Sequence, residues 1–247
     1  MRIPRIFHHE PLKDRHEVEL SPAAIKHLTA VLRLKIGAPL VLFDGSGFEF
    51  EAMLDALGKK RSVARITRMH GPAVESPLHI TLAQGISRGE RMDYTVQKSV
   101  ELGVTEIVPV MTERSVVRLD AKTAVRKQQH WQQVVISACE QSGRVRVPQV
   151  EPPISLHTFL AAAHQAELKL LLDPQADKQV SNLPEPPNNR VLLLVGPEGG
   201  LDDVECAAAI RAGFLGMQMG PRILRTETAA MVALSLLQAQ WGDLGGI

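Results

Sequence analysis

The most constraining feature of this sequence is the alternation of strand-like and helix-like segments from residue 78 to the end of the chain. Short apolar runs predict strands, and longer stretches with apolar residues three and four positions apart predict helices. The alternation predicts an α/β domain with a mostly parallel sheet and helices on both faces, because parallel strands need crossover connections. The predicted elements are Leu78–Ala83, Met92–Leu102, Glu106–Met111, Thr123–Ser142, Leu168–Asp173, Val191–Val195, Asp202–Ala212, Leu215–Met219 and Thr226–Gln240.

Two further signals mark the ends of one predicted helix. Asp202 followed by Glu205 predicts a capping box at its start, and Gly213 predicts its C-terminal stop. In the first part of the chain, Ser21 followed by Pro22 predicts a capped helix over Ala23–Leu32. These signals therefore fix where the two helices begin or end.

The chain changes character at residues 71–77, where two prolines and a glycine interrupt the hydrophobic pattern. We place a domain boundary there, between residues 1–72 and residues 73–247. The first domain is expected to be a small β-barrel, because it contains short predicted strands separated by turn residues. Those strands are Pro39–Phe43, Phe48–Leu54 and Ser62–Met69.

Composition excludes several classes of protein. A chain of 247 residues with 45% hydrophobic content can fill a substantial core, so it is neither disordered nor fibrous. Its apolar runs end after five or six residues, whereas a membrane-spanning helix needs about 20. The N-terminal residues lack the apolar stretch of a secretory signal. We therefore expect a cytoplasmic protein without a membrane partner.

The charge distribution bears on the kind of partner, and the cysteine and histidine spacing bears on whether a metal site is present. Residues 1–71 contain 12 Lys and Arg against 8 Asp and Glu, whereas the remainder of the chain is net acidic. A basic first domain favours a polyanionic partner, although an ordinary soluble surface explains the excess equally well. Cys139 and Cys206 lack zinc-ribbon spacing and are expected to be buried thiols, and the adjacent His8 and His9 cannot converge on one ion. No metal site is expected.

The most informative segment is a buried strand, Val191–Val195, that runs directly into Gly196-Pro197-Glu198-Gly199-Gly200 and then a helix start. This arrangement leaves backbone N–H groups free at the carboxyl edge of a sheet, where α/β proteins bind ligands. Neither Gly-x-x-x-x-Gly-Lys-Ser/Thr nor Gly-x-Gly-x-x-Gly is present. Glu198 would repel a phosphate, so a neutral or cationic ligand fits better. A tight turn without a ligand explains a single glycine loop equally well.

A second loop of the same kind strengthens the ligand interpretation. Residues 219–230 read Met-Gly-Pro-Arg-Ile-Leu-Arg-Thr-Glu-Thr-Ala-Ala, so a strand again turns at Gly-Pro and enters a helix. The small and apolar residues of that helix can pack closely on a sheet. Two ligand-type loops are therefore expected at one sheet edge.

These two loops resemble the motif pair of the SPOUT-class bacterial methyltransferases that modify uridine N3 in small-subunit ribosomal RNA. Further stretches share the resemblance, which covers nearly the whole chain. They are Met1–Arg5, His27–Arg33, Asp44-Gly45, Gln97–Val104, Pro109, Thr112–Ser115 and Ala138–Arg144. One departure is Arg88 in Ser87–Arg91, where the family often has a lysine before the glycine.

The resemblance implies a specific architecture. Its C-terminal domain would contain a deep trefoil knot, which almost no other protein fold has. The N-terminal domain would be a PUA-like β-barrel that binds RNA. The resemblance also implies an obligate homodimer whose paired knots complete each other's site, with 16S ribosomal RNA or the assembled small subunit as the substrate.

The resemblance further implies S-adenosyl-L-methionine as the cofactor, bound in the knot. The implied cofactor-binding residues are Leu172, Gly196, Pro197, Gly199, Gly200, Met219, Gly220, Ile223 and Leu224. Arg225 and Glu198 are the implied catalytic residues. A guanidinium keeps its charge, so Arg225 could stabilise the anion left when uracil N3 loses its proton. Glu198 would face the ribose or the positive end of the donor, and no general base is assigned.

Uracil N3 lies on the pairing edge of the base, so the target nucleotide must be unpaired before reaction. The residues expected to bind the RNA substrate are Arg2, Arg5, Arg33, Glu140, Gln141 and Arg144. For each cation taken singly, a solvated surface position is the alternative. For the segment Glu140–Arg144, the alternative is an ordinary helix end with a glycine stop.

Two other functions compete with methyl transfer. One is an RNA-binding or ribosome-assembly factor without catalysis, against which the intact Arg225, Glu198 and glycine loops argue. The other is a nucleotide hydrolase, against which the missing phosphate-loop lysine argues. We therefore predict a methyltransferase.

Overall fold

The computed structural model describes residues 3–58, 61–115, 119–162, 166 and 168–245. The chain forms two compact units: unit 1 comprises residues 1–75 and 139–147, and unit 2 comprises residues 76–138 and 148–247. The short segment 139–147 lies far along the chain from the rest of unit 1. Its place there follows from contacts that no local pattern reveals.

Unit 1 is built on a five-stranded sheet with the order β1-β3-β4-β5-β2. Strands β3 to β5 form an antiparallel meander, and β1 pairs with β3 in parallel. The strands are β1 (Arg5–Phe7), β2 (Glu17–Glu19), β3 (Pro39–Phe43), β4 (Glu49–Leu57) and β5 (Ser62–His70). Of the three strands predicted in this region, β3 is confirmed with the predicted ends, and β4 and β5 are confirmed with shifted ends. Strands β1 and β2, at three residues each, are too short to show a period.

The core of unit 1 follows the period of two expected of half-buried strands. Leu40 and Leu42 of β3 are buried together with Phe50, Ala52 and Leu54 of β4. The helix predicted after Ser21 is divided into α1 (Pro22–Lys26) and a π-helical turn (His27–Val31). The Ser21 hydroxyl accepts a hydrogen bond from the Ala24 backbone N–H, so the predicted cap is confirmed.

Unit 2 contains a seven-stranded sheet with the order β12-β10-β11-β6-β7-β8, and β9 also pairs with β7. All of its strand pairs are parallel, which confirms the prediction of a mostly parallel sheet. The strands are β6 (His79–Gly85), β7 (Glu106–Met111), β8 (Gln149–Val150), β9 (Ile154–Ser155), β10 (Leu168–Leu172), β11 (Arg190–Val195) and β12 (Leu215–Met217).

The helices complete the α/β pattern. They are α2 (Glu90–Glu101), α3 (Ala121–Ser142), α4 (Leu156–Ala161), α5 (Asp203–Arg211) and α6 (Thr226–Trp241). The predicted capping box is confirmed, because the Asp202 and Glu205 side chains accept hydrogen bonds from each other's backbone N–H. Gly213 has a φ of 88° and ends α5 as predicted. Among the described residues, no helix is both long and apolar enough to cross a membrane.

The cysteines differ from expectation in one respect. Cys139 is buried, and burial raises the pKa of its thiol to about 12. Cys206, in α5, is only half-buried. In the described part of the chain, no group of three or more metal-ligating side chains converges.

Candidate functional site

The topology of unit 2 brings the carboxyl ends of four strands to one edge of the sheet. Strand β11 pairs with β6 on one side and β10 on the other, and β10 pairs with β12. Residues 196–201, which we name the first glycine loop, follow β11, and residues 218–225, the second glycine loop, connect β12 to α6. Leu172 at the end of β10 lies opposite Met217, immediately before the second loop. The predicted cofactor residues therefore all lie at the carboxyl edge, where parallel sheets bind ligands.

A buried hydrogen-bond chain connects the two glycine loops. The Gln84 Nε2 atom donates to Thr226 Oγ1 at 2.9 Å, and the Thr226 hydroxyl donates to the Gly196 carbonyl oxygen at 2.6 Å. Both side chains are buried. Gly196 begins the first loop and Thr226 directly follows the second, so the two loops are held together at one end.

The backbones of β6 and the first glycine loop also approach each other closely at this edge of the sheet. A Cβ atom at Gly85 would lie 2.4 Å from the backbone nitrogen of Pro197, which leaves room for glycine alone. The last residue of β6 therefore packs directly on the first glycine loop. Neither Gly85 nor Gln84 was expected to contribute, although a glutamine within an apolar strand was a visible signal in the sequence.

Glu198 has partners on an adjacent loop. Its Oε1 atom accepts hydrogen bonds from the Arg88 backbone N–H at 2.9 Å and from Arg91 Nη1 at 3.3 Å. Its Oε2 atom is buried and has no hydrogen-bond partner among the described residues. One oxygen of the predicted catalytic carboxylate thus holds the basic loop Ser87–Arg91, and the other remains available. Its predicted catalytic role stays a prediction.

Arg114 contacts the first glycine loop, although it was not singled out from the sequence. Its Nη1 atom donates to the carbonyl oxygens of Gly199, at 3.1 Å, and Leu201, at 3.3 Å. Its backbone follows β7, and a Cβ atom at Gly199 would lie 3.1 Å from Arg114 Cβ. Arg114 therefore fixes the end of the first glycine loop opposite the Gln84 contact. Its place in the segment Thr112–Ser115, which carried the family resemblance, was the available signal.

The second glycine loop exposes large side chains, among them those of Ile223 and Arg225. Gly220 has a φ of 77°, and Ile223 is 87% exposed, which is unusual for a large apolar side chain. Arg225 occupies the N-cap position of α6 and is exposed. Its guanidinium has no hydrogen bond or ion pair with any described residue. A permanently charged group and an apolar side chain are thus displayed together without internal partners.

Three of the residues predicted to bind RNA are engaged within unit 1. Arg5 forms an ion pair with Glu49 and donates to the carbonyl oxygens of Gly143 and Arg144, at 3.1 Å each. Glu140 accepts a hydrogen bond from the Phe7 backbone N–H at 3.0 Å. Burial raises the pKa of the Glu140 carboxyl, although that hydrogen bond and nearby cations oppose the change.

Arg144 is the most deeply buried of this group. Only 6% of the residue is exposed, and its guanidinium pairs with Glu75 Oε2 at 2.7 Å. The other Glu75 oxygen accepts the backbone N–H groups of Val145 and Arg146. Arg144 therefore serves as an internal brace of unit 1. Its predicted contact with RNA, like those of Arg5 and Glu140, stays a prediction.

The remaining predicted RNA-binding residues differ in placement. Arg33 is exposed and has a φ of 52°, and Gln141 is exposed at the end of α3. Arg2 lies outside the described residues. The structure thus leaves Arg33 and Gln141 accessible, whereas Arg5, Glu140 and Arg144 are largely enclosed.

Two cavities of unit 2 lie away from the glycine loops. One, of about 740 Å³, borders the amino ends of β6 and β11 at His79 and Arg190. The other, of about 780 Å³, borders α4 and α5 near Leu156 and Ala208. Neither is lined by a residue of the glycine loops. The glycine loops carry the Arg225 guanidinium and the Glu198 Oε2 atom, neither of which has a partner among the described residues. These groups favour the loops as the candidate site, although the two cavities offer enclosed volume.

Comparison with protein families gives two matches. Residues 74–238 match the model of an RNA methyltransferase domain. Residues 20–67 match the model of an RNA methyltransferase PUA domain. The first match contains both glycine loops, and the second contains most of the antiparallel meander of unit 1.

Individual relatives agree with these matches over almost the entire chain. Ribosomal RNA small subunit methyltransferase E of Buchnera aphidicola subsp. Schizaphis graminum is 35% identical over 243 residues, which is 98% of each chain. A putative methyltransferase from Legionella pneumophila, solved with the bound cofactor SAM, is 43% identical with a TM-score of 0.94, covering 99% of this chain and 100% of that one. Ribosomal RNA small subunit methyltransferase E from Neisseria gonorrhoeae, solved with S-adenosyl methionine, is 42% identical with a TM-score of 0.91, covering 98% and 99%.

Proposed function

This chain belongs to the RNA methyltransferase family whose members include ribosomal RNA small subunit methyltransferase E, and on that premise we propose the reaction that it catalyses. It transfers a methyl group from S-adenosylmethionine to N3 of a specific uridine in 16S ribosomal RNA. The observation that carries the proposal is the pair of glycine loops, joined through Gln84 and Thr226 and ending at the exposed Arg225.

The residues of this edge fit the proposed donor. Buried oxygens of Glu198 and Glu227 have no hydrogen-bond partner among the described residues, so acceptors are available at and beside the loops. A Cβ atom at Gly200 or Gly220 would meet nothing within 4 Å, so the backbone there is open to a ligand. The carboxylates of Glu198 and Glu227 also suit a cationic sulfonium better than a phosphate.

We assign the cofactor contacts to the two loops. Backbone groups of Gly196, Pro197, Gly199, Gly200, Met219 and Gly220 are proposed to hold the adenine and ribose. Leu172, Ile223 and Leu224 are proposed to supply apolar walls. When bound, the donor supplies an electrophilic methyl group on a sulfonium centre. The chain's own contribution is to position donor and acceptor and to stabilise the charge that develops.

Arg225 is proposed to act on the acceptor base. Removal of the N3 proton of uracil leaves negative charge that spreads to O2 and O4. The Arg225 guanidinium is exposed and without an internal partner, so it is free to donate hydrogen bonds to that anion. Glu198 is proposed to act beside it by orienting the ribose or the sulfonium, with one oxygen anchored on Arg88 and Arg91.

The RNA-binding surface is proposed to use exposed groups. Arg33 and Gln141 are accessible for contacts with nucleotides that flank the unpaired target. Arg2 is proposed to contribute a further phosphate contact. Arg5, Glu140 and Arg144 are proposed to support this surface, since their charged groups already have partners within unit 1.

The finer architecture is also a proposal. Residues 1–72 form the RNA-binding PUA-like domain, and residues 73–247 form a SPOUT-type catalytic domain with a deep trefoil knot. The ranges of the two family matches, 20–67 and 74–238, lie on either side of this boundary and support it. The chain acts as a homodimer in the cytoplasm, on 16S ribosomal RNA or the assembled small subunit, without a metal.

Transfer of labelled methyl groups tests the proposed reaction. Small subunits and naked 16S ribosomal RNA from cells that lack this protein are incubated with the purified chain and labelled S-adenosylmethionine. We expect one 3-methyluridine per RNA, identified by nuclease digestion and mass spectrometry. Label at another base or at a ribose would contradict the N3 assignment, and no transfer to either substrate would contradict the proposed activity.

A further inference from the structure

Gln84 is a fully buried polar side chain to which the proposed reaction assigns no contact with the donor or the acceptor base. It lies one residue before the end of β6, in a strand whose other residues from Ile80 to Gly85 are mostly apolar and buried. Its Oε1 atom has no hydrogen-bond partner among the described residues. A buried amide with one unsatisfied atom destabilises a fold relative to an apolar side chain. Stability alone therefore does not explain a glutamine at this position.

The hydrogen bonds of Gln84 have a fixed direction. Its Nε2 atom lies 3.0 Å from the Gly85 carbonyl oxygen and 2.9 Å from Thr226 Oγ1. If the amide were turned over, its oxygen would face the Gly85 carbonyl oxygen, and two acceptors would repel. The Thr226 hydroxyl carries one hydrogen, which it donates to Gly196 at 2.6 Å. The hydrogen bonds therefore run in one direction, from Gln84 through Thr226 to Gly196, and a longer contact of 3.4 Å also joins Gln84 Nε2 directly to the Gly196 carbonyl oxygen.

This chain of hydrogen bonds joins three separate elements at the candidate site. Gln84 belongs to β6, Gly196 opens the first glycine loop, and Thr226 opens α6 directly after Arg225. Hydrogen bonds in a buried, low-dielectric setting resist displacement, because a separated partner has no water to replace it. The two side chains that connect the loops are thus themselves buried.

We infer that Gln84 and Thr226 are positioning residues that hold the two glycine loops at the separation needed for the methyl donor. The inference rests on the proposed function, since it assigns these residues to the donor site of that reaction. They act through Gly196 and Arg225 and contact neither substrate. Replacement of the Thr226 hydroxyl by a methyl group would change no residue of either loop, but it would remove the hydrogen bonds of Thr226 that hold the loops together.

The test compares three single variants by calorimetric titration with S-adenosylmethionine. Thr226→Val keeps the shape of the side chain and removes both hydrogen bonds, whereas Thr226→Ser keeps the hydroxyl. Thr95→Val is the matched control, because Thr95 is equally buried in unit 2 but donates only to Arg91 within its own helix. We expect Thr226→Val to weaken donor affinity about tenfold, and the other two variants to stay within about twofold.

A double variant separates positioning from a general loss of stability. The double variant Gln84→Met with Thr226→Val removes the hydrogen bonds between β6, Thr226 and Gly196 without leaving an unpaired amide. We expect the double variant to bind the donor no more weakly than Thr226→Val, and to unfold at a higher temperature than that single variant. If the double variant instead binds the donor more weakly than Thr226→Val, the two residues would contribute independently, which would contradict a single connected chain of hydrogen bonds.

The result that overturns the inference is a folded Thr226→Val variant with wild-type donor affinity at full binding stoichiometry. That result is distinct from failure of the proposed function. If the wild-type chain itself does not bind S-adenosylmethionine, the proposed function fails first. If the wild type binds and Thr226→Val binds equally, only the positioning role is rejected.

Discussion

The segment Ala138–Arg144 and the two glycine loops both carry motifs of the family resemblance, but their charged side chains differ in their surroundings. In the first, Glu140 and Arg144 are enclosed within unit 1 and have internal partners. In the second, Arg225 is exposed with no internal partner, and the Gly200 backbone is open. We therefore expect the chemistry at the glycine loops, where the Arg225 charge remains available to a ligand.

The two regions also predict different responses to mutation. Removal of one member of an enclosed ion pair leaves its partner buried and uncompensated, which lowers stability strongly. Removal of an exposed cation has little effect on the free energy of unfolding, so any loss should appear in the rate of methyl transfer. Each variant below is chosen to separate a loss of folding from a loss of methyl transfer.

The largest effect is expected for Arg225→Ala. Its guanidinium is proposed to stabilise charge that exists only as the base loses its proton, so methyl transfer should fall about 100- to 1000-fold. Donor affinity measured by calorimetry should change less than about threefold, because the ground state does not need this contact. Arg222→Ala, an exposed arginine three positions earlier, is the control and should remain active. Equal losses of affinity and rate in Arg225→Ala would make it a binding residue.

Arg144→Met should have the largest effect on stability. The variant removes the cation from Glu75, whose side chain is only 19% exposed, and we expect about 3 kcal/mol less free energy of unfolding in urea titrations. Methyl transfer by the folded fraction should remain within about twofold of wild type. Glu75→Gln combined with Arg144→Met should recover part of the stability, because no lone charge remains. A raised KM for RNA with unchanged stability would instead assign Arg144 to the substrate surface.

Gly200→Val tests whether the first glycine loop touches the donor. Gly200 has a φ of 69° and Gly213 has a φ of 88°, and a Cβ atom at either would meet nothing within 4 Å. Valine should therefore introduce similar backbone strain, about 1–2 kcal/mol, at both positions. We expect only Gly200→Val to weaken donor binding, by at least about tenfold in calorimetry. Similar donor affinities in the two variants would remove this loop from the site.

The smallest effect is a change in pH dependence for Glu140→Gln. Burial raises the pKa of Glu140 above its ordinary value of 4.5 in the folded chain. A raised pKa means that the folded state binds the proton more tightly, so this contribution to stability is complete below pH 4.5 and is lost as pH rises through the folded pKa.

Glutamine keeps an acceptor for the Phe7 N–H and has no such titration. The free energy of unfolding of Glu140→Gln relative to wild type should therefore rise with pH above 4.5, by less than the loss expected for Arg144→Met. Urea titrations at several pH values measure this difference. A difference that falls with increasing pH would mean that the carboxylate is stabilised, and that the direction inferred from burial is wrong.

Local sequence patterns were sufficient for much of unit 2. Glu106–Met111 was predicted with the observed ends, and Asp202 with Glu205 forms the predicted capping box. These features depend on neighbours within a few positions, which a hydrophobic period or a cap signal encodes directly. The strands β8 and β9, with two residues each, were missed because no period can be read from so short a segment.

Contacts between distant positions could not be predicted in the same way. Glu75 and Arg144 pair across 69 positions, and Gln84 and Thr226 across 142. Nothing near either residue in the chain specifies its partner, so the enclosure of Arg144 and the junction of the glycine loops required the structure. Glu198, by contrast, was identified by its place in the loop, although its contact with Arg88 was not.

The most direct test of the donor site is a crystal structure of this chain grown with S-adenosylmethionine. We predict electron density for the ligand against residues 196–201 and 218–225, with Leu172 and Ile223 in contact with it and Arg225 beside its methyl group. Density in either cavity near His79 or Ala208, with both glycine loops empty, would contradict the assignment of the site.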